Sequence, residues 1–346
     1  MKILFFVKHY FECGGIQENI YNISNYLIKN HEVAITTSKI NKEHIHFSKK
    51  IIYLPHNRVD LNKYDVVLIE NFDMLPHIMF LIKIMINNLY KGGNYKIILV
   101  PHGGYTIEWY TFPFINRIIK KTYHKTLGRF FINKFVNKIV ACSNWEKDAL
   151  IGNGVKDEII IIRNGIDKKY ISKHRGKHYF VFVGRIDPIK NIEEIIYTFK
   201  KICSYRFFCD YKLMIVGDYK KNTYYYNKLK SIIIENNLLD KIIFLGKKVG
   251  NEKFNIISEA KCLFCLSKIE NDPLVVKESL SVSTKVLINT NGGLKDYEYE
   301  NNVFVKYEND INPTEFYKFL KKKFNNKLKI NLLTWEEVAE KYETVF

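Results

Sequence analysis

Short apolar runs alternate with longer segments of helical periodicity, and the series occurs twice along the chain. In the first half, residues 3–7, 33–37, 66–70, 97–100 and 139–143 read as strands, with helical stretches such as 16–29 and 116–136 between them. The pattern restarts with strands at 179–184, 213–217, 242–246, 262–267 and 286–289, separated by helices at 192–202, 224–236, 253–260 and 274–282. Near-continuous apolar strands alternating with helices imply parallel sheets covered on both faces. A length of 346 residues fits two domains at about 150 residues each. A polar segment at 167–177 divides the series. The expected division is therefore 1–166 and 167–332, with 333–346 as a terminal helix. Both halves read as Rossmann-like α/β domains, whose ligands bind beyond the carboxyl ends of the strands. Two such domains facing one another would place a site in the cleft between them.

Composition narrows the classes. The formal net charge of +18 favours anionic partners, whether nucleotides, nucleic acid or acidic lipid. The apolar run at the N-terminus is too short for a signal peptide and reads as a first strand. Residues 74–86 form the greasiest stretch, but it contains His77 and Lys83 and falls short of the ~20 apolar residues of a membrane span. Cys262 and Cys265 form a CxxC inside a strand-like run, where side chains three apart point to opposite faces and cannot readily share a metal. No second CxxC completes a zinc site. Reduced thiols and a cytoplasmic location are the expectation, with peripheral attachment at the inner face of a membrane as its limit.

Four segments carry candidate chemistry. Gly14 and Gly15 follow the first strand and open a helix, which lets backbone approach an anion at the helix N-terminus; a plain strand-to-helix turn accounts for them equally well. His102 closes another strand and precedes Gly103 and Gly104, a position from which a ring could meet a phosphate or sugar hydroxyl or serve only a turn. Gly184 ends the first strand of the second domain, Arg185 follows it, and Lys190 stands at a helix start, a pair of cations suited to a diphosphate. Glu270 and Glu278 are separated by seven residues, with Pro273 between them. Proline favours a helix start, so Glu270 falls on a loop and Glu278 on the second turn of the next helix. That fold-back suits a ligand whose phosphates approach the helix start, with Glu278 on the hydroxyls of a ribose and Glu270 on a sugar hydroxyl. Two ordinary surface glutamates are the alternative.

Taken in this order, the segments resemble glycosyltransferase family 4, the group 1 glycosyl transferases. The resemblance rests on Gly14-Gly15, His102-Gly103, the Gly184-Arg185 and Lys190 pair, Glu-x7-Glu, and the later turn at Gly292-Gly293. It implies the GT-B architecture of two Rossmann-like domains, with the acceptor domain first, the nucleotide-sugar donor domain second, and a terminal helix crossing back to the first. It further implies a hexosyl-type transfer from a UDP- or GDP-linked sugar to an acceptor hydroxyl, with retention. Arg185 and Lys190 would neutralise the departing diphosphate, and His102 and Glu270 would support the reacting sugar. Departure and attack on one face is the expected route, since a glycosidase-type double displacement needs carboxylates flanking the anomeric carbon. No Asp-x-Asp pair stands at a strand end, so no metal or other cofactor is expected. Glu270-Asn271-Asp272 is only a lookalike of such a pair. The chain departs from the family where Asn271-Asp272-Pro273 replaces an expected glycine after the first glutamate. Pro273 has no amide to donate, so the family's loop-amide contacts to the donor would fall to Leu274, Val275 or their neighbours.

The acceptor is less legible. Residues 117–138, opening on Arg117 and closing on Lys138, hold seven Lys/Arg, no acid, and interleaved aromatics. A basic amphipathic segment of this kind lies on an anionic membrane or packs its apolar stripe on the first sheet. The first case would suit a glycan or lipid-linked glycan acceptor. Two other functions fit parts of the sequence: a basic Rossmann-type nucleic-acid binder, disfavoured because no nucleic-acid motif is present, and a sugar-nucleotide epimerase.

Overall fold

The computed structural model describes all residues except 12–13, 45, 73–76, 105–113, 156–157, 168–175, 220–221 and 308–309. It divides into two compact units, Met1–Gly165 with Leu333–Phe346, and Ile166–Leu332.

The first unit carries strands β1 (Lys2–Phe6), β2 (Glu32–Thr37), β3 (Ile52–Pro55), β4 (Val66–Glu70), β5 (Lys96–Val100), β6 (Lys138–Ala141) and β7 (Ile159–Ile161). They form one sheet in the order β3-β2-β1-β4-β5-β6-β7, parallel throughout. Its helices are α1 (Gly15–Leu27), α2 (His77–Lys91), α3 (Phe114–Tyr123), α4 (Arg129–Phe135) and α5 (Asn144–Gly152). The second unit repeats the plan with β8 (Tyr179–Val183), β9 (Lys212–Val216), β10 (Ile242–Gly246), β11 (Cys262–Cys265), β12 (Lys285–Ile288) and β13 (Val303–Val305), ordered β10-β9-β8-β11-β12-β13. Helices α6 (Ile192–Cys203), α7 (Thr223–Glu235), α8 (Gly250–Glu259), α9 (Leu274–Ser281) and α10 (Pro313–Lys321) complete it. The last helix, α11 (Trp335–Glu343), belongs to the first unit.

Both sheets follow the doubly wound Rossmann order, in which the chain reverses direction beside the first strand of each unit. The reversal falls between β1 and β4, and between β8 and β11. Burial on both faces explains the unbroken apolar runs: along β8, Tyr179 and Val181 enter one core cluster while Phe180 and Phe182 enter the other. The same alternation settles the CxxC, because Cys262 packs in one cluster and Cys265 in the other.

Some element boundaries differ from the sequence reading. The single helix expected over 116–136 begins at Phe114 and is interrupted by a π turn over His124–Gly128 before α4 resumes. Within it the Thr126 hydroxyl donates to the Thr122 carbonyl at 2.6 Å, a side-chain bond of the kind that bends helices. The edge strands β3, β7 and β13 run only three or four residues, too short for a period to register.

Helix α11 starts with a capping box, in which Thr334 accepts from the Glu337 amide while the Glu337 side chain accepts from Thr334. It packs on α1 and is pinned by Lys29–Glu336 at 3.2 Å and His31–Glu343 at 2.8 Å. Trp335 lies so close to Gly165 that a β-carbon there would stand 2.7 Å from its ring. Among the described residues, no helix is long and apolar enough to cross a membrane.

Candidate functional site

In the second unit, the loops leaving β8 and β11 flank the point where strand order reverses, and they are stitched together. The Lys268 amide donates to the Ile189 carbonyl at 2.8 Å. Asn191, in the left-handed region at φ +52°, sends its side-chain amide to the Leu266 carbonyl at 3.2 Å. This brings Lys190 onto Glu270, with the ammonium 2.5 Å from Oε1. Ser267 donates to the same oxygen at 2.7 Å. Gly184 is the first residue after β8, one position short of the strand end read from the sequence, and Arg185 is exposed, with no ion pair among the described residues. Gly217 was not singled out from the sequence, yet a β-carbon there would stand 2.1 Å from the Gly184 carbonyl oxygen. It keeps the neighbouring strand end low enough for the Gly184 loop to pass.

Glu270 is held from the other side by the late glycine turn. Gly292 forms a parallel bridge with Glu270, and the Gly293 amide donates to the Glu270 carbonyl at 2.7 Å. A β-carbon on Gly292 would lie 2.2 Å from that carbonyl oxygen, and one on Gly293 only 1.5 Å from the Asn271 oxygen. Gly292 also sits at φ +64°, so the position selects glycine on both counts. Behind the loop, burial first and the Glu270 charge second push the Cys265 thiol up to about 12.

The segment between the two glutamates is anchored by buried charge. Asp272 turns its carboxylate inward, where it accepts from Lys277 and from the Tyr297 hydroxyl at 3.0 Å. The side chains of Asp272 and Lys277 are buried, as is Tyr297. The Glu270-Asn271-Asp272 lookalike of a metal motif therefore splits, with its two acids engaged by different lysines. Pro273 is the N-cap of α9 rather than its first-turn residue, and no side chain caps the helix. The amides of Leu274 and Val275 open that helix, where no intrahelical carbonyl is available to them. Glu278 lies on the second turn and meets Lys253 of α8 at 2.7 Å. Lys253 and the Asp272–Lys277–Tyr297 set carried no sequence signal, because they depend on elements distant in the chain or on an i,i+5 spacing that no helical rule singles out, and Ser267 reaches Glu270 only through the course of the loop between them.

The first unit holds the remaining candidates. Gly14 is the extended N-cap of α1 at φ −175°, and Gly15 is its first residue; Cys13 lies outside the described residues. His102 follows β5 in the left-handed region at φ +49°. Its ring is turned into the unit: Nε2 is 2.6 Å from Glu70 Oε2 at the end of β4, and Nδ1 is 3.5 Å from Cys142 Sγ. The position at a strand end is as the sequence indicates; the ring itself is only 5% exposed. Glu146 ties the same loop to α5, accepting from the amides of Gly103 and Cys142. Tyr342 of α11 is buried against this group, and burial followed by the charges of Glu70, Cys142 and Glu146 raises its hydroxyl well above the ordinary tyrosine range.

Two family models match this arrangement in register with the two units. The model described as Glycosyltransferase Family 4 covers residues 13–170, and the one described as Glycosyl transferases group 1 covers 165–329. An uncharacterised glycosyltransferase of Methanocaldococcus jannaschii is 28% identical over 170 residues, a match spanning 48% of this chain and 45% of that protein. Among solved structures, a glycosyltransferase from Rickettsia africae superposes with a TM-score of 0.74 at 16% identity, covering 99% of this chain and 97% of that one. Anabaena HepE, solved in complex with UDP and glucose, gives 0.71 at 15% identity over 100% and 95% of the two chains. Sucrose-phosphate synthase from Thermosynechococcus elongatus gives 0.72 at 15% identity, over 99% and 98%. At such identities the likeness to solved structures carries the fold, and the family models carry the membership. The chain belongs to the group 1, family 4 glycosyltransferases.

Proposed function

We propose that this protein moves a sugar from a UDP- or GDP-linked donor to an acceptor hydroxyl, with retention of configuration and without a metal. The observation that carries the reading is the second unit's strand-end constellation: Lys190 on Glu270, exposed Arg185 beside Gly184, and Glu278 one helical segment further on. Arg185 and Lys190 neutralise the diphosphate as the glycosidic bond breaks, which is electrostatic stabilisation of charge that develops in the transition state. The opening amides of α9, at Leu274 and Val275, add partial positive charge of the same sign. Glu278 accepts from the ribose hydroxyls and Glu270 from a sugar hydroxyl. In the first unit the buried His102 ring, held between Glu70 and Cys142, shapes its own loop rather than reaching a sugar. The leaving-group oxygen takes the acceptor proton on the face from which it departs.

Since HepE was solved with UDP and glucose, UDP-glucose is the first donor to assay. Incubated with a panel of UDP- and GDP-sugars and a lipid-linked glycan fraction, the protein should release free nucleoside diphosphate from one donor class only when acceptor is present. Turnover in EDTA should equal turnover in Mg²⁺ or Mn²⁺ within about twofold. Strict dependence on added metal would remove the cation-based account of the leaving group. Acceptor-independent release of nucleotide and free sugar would point to the epimerase-like chemistry instead.

The acceptor side of the proposal rests on α3 and the turn after it. Phe114, Ile115, Ile118 and Ile119 are all exposed there, as are Leu127 and Phe130 beyond it. The run 117–138 supplies cations without a single acid. An apolar face bordered by lysines suits an anionic bilayer surface and a lipid-linked acceptor. Co-sedimentation should be strong with vesicles of about one-third phosphatidylglycerol, weak with pure phosphatidylcholine, and reduced at least fivefold by Ile115→Glu with Ile118→Glu. Binding indifferent to anionic lipid would withdraw the membrane from the proposal and leave the transferase reading standing.

A further inference from the structure

The second unit has another opening, at the opposite end of its sheet. His178 immediately precedes β8, Tyr211 precedes β9 and Lys261 precedes β11, so the three gather where these parallel strands begin. The Gly184 loop and the Glu270 loop lie where the same strands end. Five strand residues at about 3.3 Å each separate the two ends by roughly 17 Å. The opening measures about 210 Å³ and is lined by His178, Phe207, Tyr211, Lys261, Tyr317 and Lys321 among others.

Its walls are rings and its charge is all of one sign. His178 stacks on Tyr211 with centroids 5.0 Å apart, and Phe207 stacks on Tyr317 at 4.3 Å. Phe207 remains 40% exposed at the rim, with the Arg206 guanidinium over its ring at 4.8 Å, so the stacked pair offers a ligand its ring edges. Lys321 reaches over the Tyr317 ring at 5.3 Å. No described carboxylate pairs with Lys261 or with Lys321. Lys261 is half-buried, and burial followed by the charge of Lys321 lowers its pKa. Lys321 has an ordinary reason to be where it is, since it ends α10 and complements that helix's dipole. Lys261 has none. It comes from a different element and is brought beside a like charge in a partly dry setting, an arrangement that a bound anion would relieve.

We propose that this pocket is an accessory site for a small phosphate ester built on a single ring, with the phosphate between Lys261 and Lys321 and the ring against Phe207 and Tyr317. The volume lies below the ~300 Å³ at which pockets for drug-sized ligands begin, so one ring is accommodated and a nucleoside diphosphate is not. The site is separate from the donor constellation and makes no use of its residues.

Glucose 1-phosphate is a suitable probe, with glucose and inorganic phosphate as its two halves. Titrated by calorimetry in the presence of saturating UDP, the full chain should bind glucose 1-phosphate at least tenfold more tightly than either half. Lys261→Gln and, as a second variant at an exposed position, Lys321→Gln should each weaken binding at least tenfold without lowering Tm. Four results would overturn the proposal: no binding at millimolar probe, displacement by UDP, affinity unchanged in both variants, or inorganic phosphate matching the ester. The first variant also separates this site from the donor site if UDP itself fails to bind.

Discussion

Asp272→Ala lowers the stability of the protein by about 3–5 kcal/mol, the usual consequence of removing one partner from a buried ion pair. Asp272 and Lys277 are both fully buried and the Tyr297 hydroxyl reaches the same carboxylate. Deleting the acid strips the Lys277 ammonium of its counter-charge in a site that excludes water. For a unit of this size each kcal/mol moves Tm by about 2–4 °C, so the drop should be roughly 6–20 °C by calorimetry or circular dichroism. Replacing both members, as Asp272→Leu with Lys277→Met, should recover part of the loss, because well-packed apolar groups often match a buried pair while the buried Tyr297 hydroxyl loses this acceptor. A single-variant change below about 0.5 kcal/mol would mean that the pair does not anchor the loop. The anchored segment holds Glu270 at one end and leads to Glu278 at the other. The double variant, although stable, should therefore show a raised KM for donor: its fold is kept while the fixed path between the two carboxylates is lost.

Arg185→Ala has the opposite signature. Its side chain is exposed and makes no ion pair among the described residues, so its loss should leave stability within about 0.5 kcal/mol. Turnover should nevertheless fall by about 10²–10³, the range seen when one preorganised donor to developing charge is removed. Arg185→Lys keeps the charge but not the two-pronged geometry and should fall between. Lys190→Ala should show a comparable loss of turnover, compounded by release of Glu270 from its 2.5 Å contact. Because Lys190 and Glu270 act as one unit, the double variant with Glu270→Gln should cost less than the sum of the singles. Arg185→Ala turning over at the parental rate would place the leaving-group charge elsewhere.

The sequence made the repeated strand–helix order legible because parallel strands buried on both faces stay apolar at every position. β4 and β10 carry the boundaries read from the sequence, and the other long strands differ by one or two residues at one or both ends. The short edge strands were not legible, since three residues such as Ile159–Ile161 carry no period. The site was legible to the extent that it is made of glycines and charges at strand ends. Gly184, Lys190, Glu270 and Glu278 fall on the loops and the helix expected for them, and Lys190 meets Glu270 across 80 residues of sequence. What stayed hidden is the support: Lys253 beneath Glu278, the inward Asp272, and the Glu70–His102–Cys142 group that takes the histidine ring inside. Those partners are fixed by packing between elements far apart in the chain, and a single sequence records no such pairing.

The most direct measurement is calorimetric titration of the protein with UDP, GDP and ADP in EDTA, repeated on Glu278→Ala and Arg185→Ala. The account predicts micromolar binding of one uridine or guanosine diphosphate by the parent protein, weakened at least tenfold in both variants while Tm stays unchanged. Binding of none of the three, with or without Mg²⁺ restored, or binding that both variants retain in full, would contradict it.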